Sequence, residues 1–401
     1  MLGSSSALGQ RWAARAVIAA AVLAVYLPGL DHAFQYDDLH SIVENPHLRK
    51  LANIDDFFSR PEMFTVDPKS AMYRPLLLVT YAFNYAWGGY LVEGFRSVNL
   101  AIHLVNSLLL CGMACRYTGR VATGLACGLF FALHPIAGEP VTYISSRSES
   151  LCALLVLSGL ALYTGMGVRG GAARCAGSVL AFAGALLAKS VGLVLPLVIL
   201  LREVSSGTSV RRRIVRVTKC LIPFCLVGVA YLLGMRHFLQ AALVDHPVRG
   251  LGVQMLTQAK AIVYYLKLLL VPVGQNIEHQ FNPASSLGEP AVWAALALLG
   301  SFAWCLIGVW RRSSTHFFWL VWPSLFLLPT FVVPLNVLVN EHRLYIPTMG
   351  LAFLLAWLMT HAIPRSRALP FMVLLLMIYG GLSLQRSQVW CTPETLWADA
   401  L

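Results

Sequence analysis

The stretch RWAARAVIAAAVLAVYLPGLDHAFQYDD, residues 11–38, fixes how the rest of the chain is read. Arg11 and Arg15 lead into an apolar run, and the run closes on Asp31, Asp37 and Asp38. A helix needs about 20 apolar residues to cross roughly 30 Å of hydrocarbon. Residues 12–30 therefore read as one membrane crossing with a basic side and an acidic side. No small-residue cleavage site follows, which marks a retained anchor and not a cleaved signal peptide. Working outward, the 401 residues are 58% hydrophobic and 12% charged, with mean hydropathy +0.68. Soluble domains carry roughly 25% charged residues, so a soluble globular enzyme is excluded.

About eleven runs qualify as spans, with cores near 12–30, 95–115, 121–135, 141–165, 172–188, 190–203, 217–237, 290–310, 316–334, 344–362 and 368–385. Pro135 and Pro196 are expected to end or kink helices. The fold class expected is an all-α polytopic membrane protein. The net charge of +12 would suit nucleic acid, but its placement argues otherwise. Loops on the N-terminal side hold 16 of the 30 basic residues, including Arg116, Arg120, Arg169 and the run 211–219, and one acid of 18, Glu203. That side carries +15 and the other −3. The positive-inside rule then places the N-terminus in the cytoplasm. An odd number of spans puts the C-terminus outside, and no nucleic-acid partner is expected. The nine cysteines are scattered, with no C-x-x-C pair, and read as small buried hydrophobes.

Two large segments, about 31–94 and 238–289, interrupt the pattern on the outer side, and an active site is expected there. Asp37 and Asp38 sit where the surface of the membrane meets water. Adjacent carboxylates raise each other's pKa and can hold a general base near working pH, although one of them capping a helix near Leu39 fits as well. Pro75, after Tyr73 and Arg74, suits the start of a helix over 76–87 lying in the interface. Lys260, Tyr264 and Lys267 form a polar stripe on a second such helix. Glu139 after His134-Pro135, and Arg147 with Glu149, are ionisable groups at the edge of the hydrocarbon, where function competes with a structural ion pair. Asn99, His103 and Asn106 share one helix face, which interhelical hydrogen bonds explain at least as well as catalysis does. Glu341, Arg343 and Tyr345 lie at the outer end of the tenth run. Arg343 suits a phosphate oxygen or an interface anchor. Lys189, between two short runs, suits an anionic headgroup or snorkelling. The aspartate pair could take a divalent cation through oxygen ligands, but no spacing demands one, and no cofactor is required.

The order of FQYDD (34–38), YRPL (73–76), VNLAIHLVN (98–106), LHPIAGEPVTYISSRSES (133–150), EHRLYIPTMG (341–350) and QVWCTPETLWADAL (388–401) resembles GT-C glycosyltransferases that use polyprenyl-phosphate sugars. More closely it resembles the TMTC group, transmembrane and tetratricopeptide-repeat proteins with protein O-mannosyltransferase activity. The resemblance implies that Asp37-Asp38 is the catalytic motif. It also implies a dolichyl- or undecaprenyl-phosphate sugar as donor and an acceptor in the lumen or periplasm. Glu139, Arg147, Glu341, Arg343 and Tyr345 match further family positions. Ser190 follows Lys189 where relatives often carry an acid. Residues 1–387 are expected to form the catalytic membrane domain. Residues 388–401 resemble the lead-in to tetratricopeptide repeats that are absent here, as in a truncated, split or stand-alone catalytic half.

The reading is an inverting glycosyltransferase that moves a sugar, mannose by resemblance, to an acceptor hydroxyl on protein Ser/Thr or a glycan. Asp37 is the expected base and Asp38 the second choice. Arg343, Arg147 and Lys189 are expected at the donor phosphate, with Glu139, Glu341, Arg74, His134 and Tyr345 in support. The alternative is a transporter or flippase of a lipid-linked or polar substrate, for which internal pseudo-symmetry is the usual sign and none is found. The expected location is a bacterial inner membrane in preference to the endoplasmic reticulum.

Overall fold

Twenty-five consecutive residues, Leu2–Tyr26, form helix α1, and a 3-10 turn at Leu27–Gly29 carries the chain out to the first large segment. The computed structural model describes residues 2–165, 171–205, 210–237, 249–334 and 336–401. Arg169, the first part of the second outer segment (238–248) and the side chains of Arg211, Arg212, Arg213, Arg216 and Lys219 lie outside the described residues. After α1 come α2 (Pro75–Gly88), α3 (Val92–Thr118), α4 (Val121–Ala132), α5 (Arg147–Thr164), α6 (Gly171–Ala188) and α7 (Leu195–Val204). They are followed by α8 (Val210–Gly234), α9 (Leu251–Leu270), α10 (Pro290–Arg312), α11 (Ser314–Leu327), α12 (Tyr345–Trp357), α13 (Arg365–Val389) and α14 (Pro393–Ala400). No strand occurs among the described residues.

Seven helices among the described residues are long and apolar enough to cross a membrane, and eight crossings result if one bent pair is a single span. The sequence suggested about eleven, and four runs account for the difference. The run 121–135 stops at Ala132, and the chain bends by 63° into Pro135–Thr142, because proline cannot continue the hydrogen-bond ladder. The run 141–165 is broken into the end of a short helix, Glu139–Thr142, a 3-10 turn, Ile144–Ser146, and a continuous helix only from Arg147, whose first turn buries Arg147, Ser148, Glu149 and Ser150. The run 190–203 is divided between a 3-10 turn, Ser190–Val194, and α7, where Pro196 starts the helix instead of ending it. The run 217–237 lies in helix α8, Val210–Gly234, whose side chains are described only in part; the apolar stretch among the described residues is Leu221–Gly234. Counting apolar residues does not separate a lipid-facing helix from one buried in protein, and α5 is of the second kind.

Helix α4 is packed by α1, α3 and α12. Its Gly124 and Gly128 admit α3 closely: a Cβ on Gly124 would lie 2.7 Å from the Cys111 carbonyl, and one on Gly128 3.2 Å from that of Ser107. Small residues four apart are a common device for close helix approach in membranes. Polar side chains hold the same bundle together. Tyr345 Oη meets His103 Nδ1 at 2.8 Å and accepts from Asn106 Nδ2 at 3.1 Å, all three residues fully buried.

The first outer segment has a core of its own. Ile42, Leu48, Phe57, Met63, Phe64, Leu77, Leu78, Tyr81 and Phe95 pack together under α2, which starts at Pro75 as the sequence suggested. Asn45 ties three turns of that segment, donating to the carbonyls of Ser41, Met63 and Phe64. Arg96 of α3 clamps the exit from α1. Its guanidinium donates to the carbonyls of Leu30, His32, Ala33 and Thr142, with 2.6 Å to Ala33 and 2.9 Å to Thr142. A polar group this buried stays only because its donors are matched. Helix α14 folds back against the same exit, where Ala33 N–H donates to the Cys391 carbonyl at 3.1 Å and Arg386 pairs with Asp399 at 2.5 Å.

Candidate active site

Tyr36 has φ +50°, the only positive φ at a non-glycine among the described residues. Such a conformation is costly for a bulky side chain and tends to persist where the surroundings enforce it. Directly after it the chain enters a π-helical turn, Leu39–Val43, closed by Glu44 N–H to Leu39 O at 2.8 Å. Short π turns are rare and recur at functional sites. Asp37 and Asp38 lie between these two irregularities, which turn them in opposite directions.

Asp38 has no exposed surface. Its Oδ1 accepts from Ser145 N–H at 2.8 Å and Ser145 Oγ at 2.6 Å, and its Oδ2 accepts from Gln35 N–H at 3.2 Å. Burial pushes its carboxyl up to about 6, against the lowering effect of those hydrogen bonds. Asp37 faces the other way, with 43% of its side chain exposed. Its backbone N–H donates to Tyr143 Oη at 3.2 Å, and its Oδ1 lies 3.3 Å from His40 Nε2. The helix-capping alternative fails for both, since neither carboxylate accepts from a backbone N–H of the Leu39–Val43 turn.

Beyond this pair lies a basic and acidic cluster. Arg74 donates to Ser148 Oγ at 3.2 Å and is within electrostatic reach of Glu149 and Asp37. Glu149 Oε1 pairs with Lys189 Nζ at 2.5 Å and lies 3.9 Å from His342 Nε2. His342 Nδ1 in turn meets Glu139 Oε1 at 3.1 Å. Arg343 reaches Lys189 and His342 electrostatically, while its guanidinium donates to the carbonyls of Leu338 at 3.1 Å and Val337 at 2.9 Å. Glu341 closes the far side, accepting from Asn276 N–H at 2.6 Å and facing His279 Nε2 at 2.8 Å.

The structure thus brings together Asp37, Asp38, Arg74, Glu139, Lys189, Arg343 and Glu341, and leaves three expected residues elsewhere. Arg147 is fully buried, and its donors are taken by Asn99 at 2.6 Å, Thr80 at 3.0 Å, Asn84 at 2.7 Å and the Phe95 carbonyl at 2.7 Å, with Tyr81 under the guanidinium. With four of its five N–H donors so occupied and no exposed surface, this guanidinium is engaged by protein and stands apart from the set expected at the phosphate. His134 accepts from Ile136 N–H and faces the Leu269 carbonyl at 3.1 Å, joining the bend after α4 to α9. Tyr345 is committed to His103 and Asn106 inside the bundle. Sequence reasoning passed over His40, Tyr143, Ser145, His279 and His342. His342 stands between two residues that were singled out, and Ser145 lies four residues before Glu149, so both were within reach of the same motifs. The Lys260–Tyr264–Lys267 stripe exists on α9, and the loop after it engages the first two residues while Lys267 stays exposed: Lys260 pairs with Glu289 at 2.8 Å, and Tyr264 meets His279 at 3.0 Å. Among the described residues no three His, Cys, Asp or Glu side chains converge as a metal-ligand set, and the two aspartates point into different networks.

No family profile matches the chain. A protein O-mannosyl-transferase of Caenorhabditis elegans is 24% identical over 395 residues, covering 94% of this chain and 56% of that protein. Human protein O-mannosyl-transferase TMTC1 is 34% identical over 152 residues, covering 36% of this chain and 17% of its own length. The chain spans about half the length of the first of these relatives and less of the second. Among solved structures, the archaeal oligosaccharyltransferase AglB from Archaeoglobus fulgidus, in complex with an inhibitory peptide and a dolichol-phosphate, superposes with TM-score 0.51 at 10% identity over 97% of this chain and 56% of that one. ArnT from Cupriavidus metallidurans, bound to undecaprenyl phosphate, gives TM-score 0.44 at 14% identity over 96% of this chain and 77% of that one. The chain thus shares the polytopic helical fold of that archaeal oligosaccharyltransferase, and its sequence relatives include protein O-mannosyl-transferases, human TMTC1 among them.

Proposed function

We propose that this chain is an inverting glycosyltransferase that moves a sugar, mannose by the names of its relatives, from a polyprenyl-phosphate donor to an acceptor hydroxyl on the outer side of the membrane. The acceptor class proposed is protein Ser/Thr. The observation that carries this reading is the divided aspartate pair, one carboxylate open to solvent and its neighbour anchored in protein. Asp37 takes the proton of the acceptor hydroxyl as its oxygen attacks the anomeric carbon. The bond from that carbon to the phosphate oxygen breaks, and the lipid phosphate leaves with the electron pair. In this reading Lys189, Arg74 and Arg343 meet the charge that develops on the leaving phosphate, the kind of preorganised electrostatics that dominates such steps. Asp38 fixes the first outer segment to the Tyr143–Ser145 turn and so holds Asp37 in place. The catalytic unit proposed is 1–387, with 388–401 docked on its outer face. The orientation proposed has the N-terminus in the cytoplasm and the site outside, in a bacterial inner membrane in preference to the endoplasmic reticulum.

The test is transfer from a polyprenyl-phosphate-mannose to a terminally blocked threonine peptide by the purified, reconstituted protein. Asp37→Asn is expected to lose at least about 100-fold in kcat with the melting temperature unchanged, the scale set by removing a positioned general base. Full transfer by Asp37→Asn would remove the base assignment. Substrate flux across proteoliposomes with no sugar transfer by the wild type would replace the whole reading with transport.

A further inference from the structure

We propose that His40, held by Thr65, is the positioning residue for Asp37, a role that rests on Asp37 being the base. The three side chains form a line of carboxylate, imidazole and hydroxyl. Asp37 Oδ1 lies 3.3 Å from His40 Nε2, and His40 Nδ1 lies 2.6 Å from Thr65 Oγ1. Thr65 anchors the ring: its Oγ1, which accepts from Asp67 N–H at 3.1 Å and lies 3.3 Å from the His40 carbonyl oxygen, makes the short contact to Nδ1. With Nδ1 held by Thr65, Nε2 is the ring atom that faces Asp37, and in the tautomer with its hydrogen on Nε2 the ring donates to Oδ1 and leaves Oδ2 for the acceptor hydroxyl.

The backbone is shaped to make this contact. Tyr36 in its left-handed conformation turns Asp37 outward, and the π-helical turn that follows presents His40 three residues on. Ser41 Oγ, donating to the Asp37 carbonyl at 2.5 Å, secures the same turn, and Thr65 is itself buried. An aspartate with 43% of its side chain exposed would otherwise sample several rotamers, and an ångström of misplacement at a reacting atom can cost about 100-fold in rate. The imidazole donates to the carboxylate and takes no proton from the acceptor, so His40 acts through Asp37 and touches no substrate.

The experiment compares His40→Ala, His40→Asn and Thr65→Val with wild type in the reconstituted transfer assay. His40→Ala is expected to lose about 10- to 100-fold in kcat with the KM values for donor lipid and threonine peptide unchanged, and to regain rate in added imidazole. His40→Asn, which keeps a donor near the carboxylate, is expected to lose less, and Thr65→Val to show a smaller fall of the same kind. Unchanged kcat in His40→Ala would overturn the proposal while Asp37→Asn remains inactive, and so would a loss in His40→Ala that imidazole does not restore. Should Asp37→Asn keep full activity, the base assignment itself fails, an outcome read from a different variant. Melting temperature separates a misfolded His40→Ala from a slow one, and His40→Asn carries the test if the alanine variant does not fold.

Discussion

Asp37 and Asp38 are neighbours in sequence with opposite environments, and the difference has a measurable consequence. The buried carboxyl of Asp38 is pushed up to about 6, above its ordinary value of 3.8. Below pH 4 both folded and unfolded chains hold this proton, and between pH 4 and 6 only the folded chain does. Its contribution to stability is therefore complete at low pH and is lost as pH rises through about 6. The span of the shift corresponds to roughly 3 kcal/mol. Unfolding in detergent, followed by melting temperature from pH 4.5 to 7.5, should show wild type losing ground against Asp38→Asn as pH rises, and a gap that does not change with pH would contradict it. The position of this acid pair just after the first crossing was legible from the sequence. Which of the two is buried was not, because it depends on Ser145, 107 residues further on. Arg147 misled for a related reason: a guanidinium at the edge of the hydrocarbon reads the same from sequence whether phosphate or protein carbonyls and amides hold it. His40 could have been found only by trusting an i, i+3 spacing across a turn that follows neither the helix nor the strand period.

At the scale of elements, periodicity and proline served well where a helix faces lipid and poorly where it faces protein. The start of α2 at Pro75 and the break at Pro135 were both readable. The division of 190–203 was not, since Ser190–Val194 is as apolar as the helix after it. The packing of α3 on α4 is set by Gly124 and Gly128, whose spacing is plain in the sequence once the partner helix is known. Gly128→Leu is expected to force these helices apart, with about 1–3 kcal/mol lost to overpacking and more if the backbone must move. Gly112 of α3 has nothing within 4 Å of where a Cβ would lie, so Gly112→Leu is the matched control. Fluorescence-detected size exclusion after heating should show Gly128→Leu melting several degrees below wild type and Gly112→Leu unchanged, and equal curves for the two would mean that the close approach does not hold the bundle.

Across the whole molecule the usual distribution of polar and apolar groups is reversed in places. Only 11% of the most apolar window of α10 and 22% of that of α13 is buried, against 56% for α3, and Trp304 and Met377 stand 77% and 62% exposed. Inside, the bundle carries Asn99, His103, Asn106 and Arg147 with almost no exposed surface. An apolar surface of that extent is stable only against lipid, and buried polar groups stay only because they bond one another. The orientation we propose in that lipid rests on the charge division read from the sequence, +15 on one side against −3 on the other. Two exposed residues test it, Lys50 in the first outer segment and Arg367 at the start of α13. Lys50→Cys should react with a membrane-impermeant maleimide in intact cells, above the background of the parent protein. Arg367→Cys should react only after permeabilisation. The reverse pattern would place Asp37 and the Lys189 cluster in the cytoplasm, and a donor presented on the outer leaflet could then not reach them, so this labelling decides topology and chemistry together.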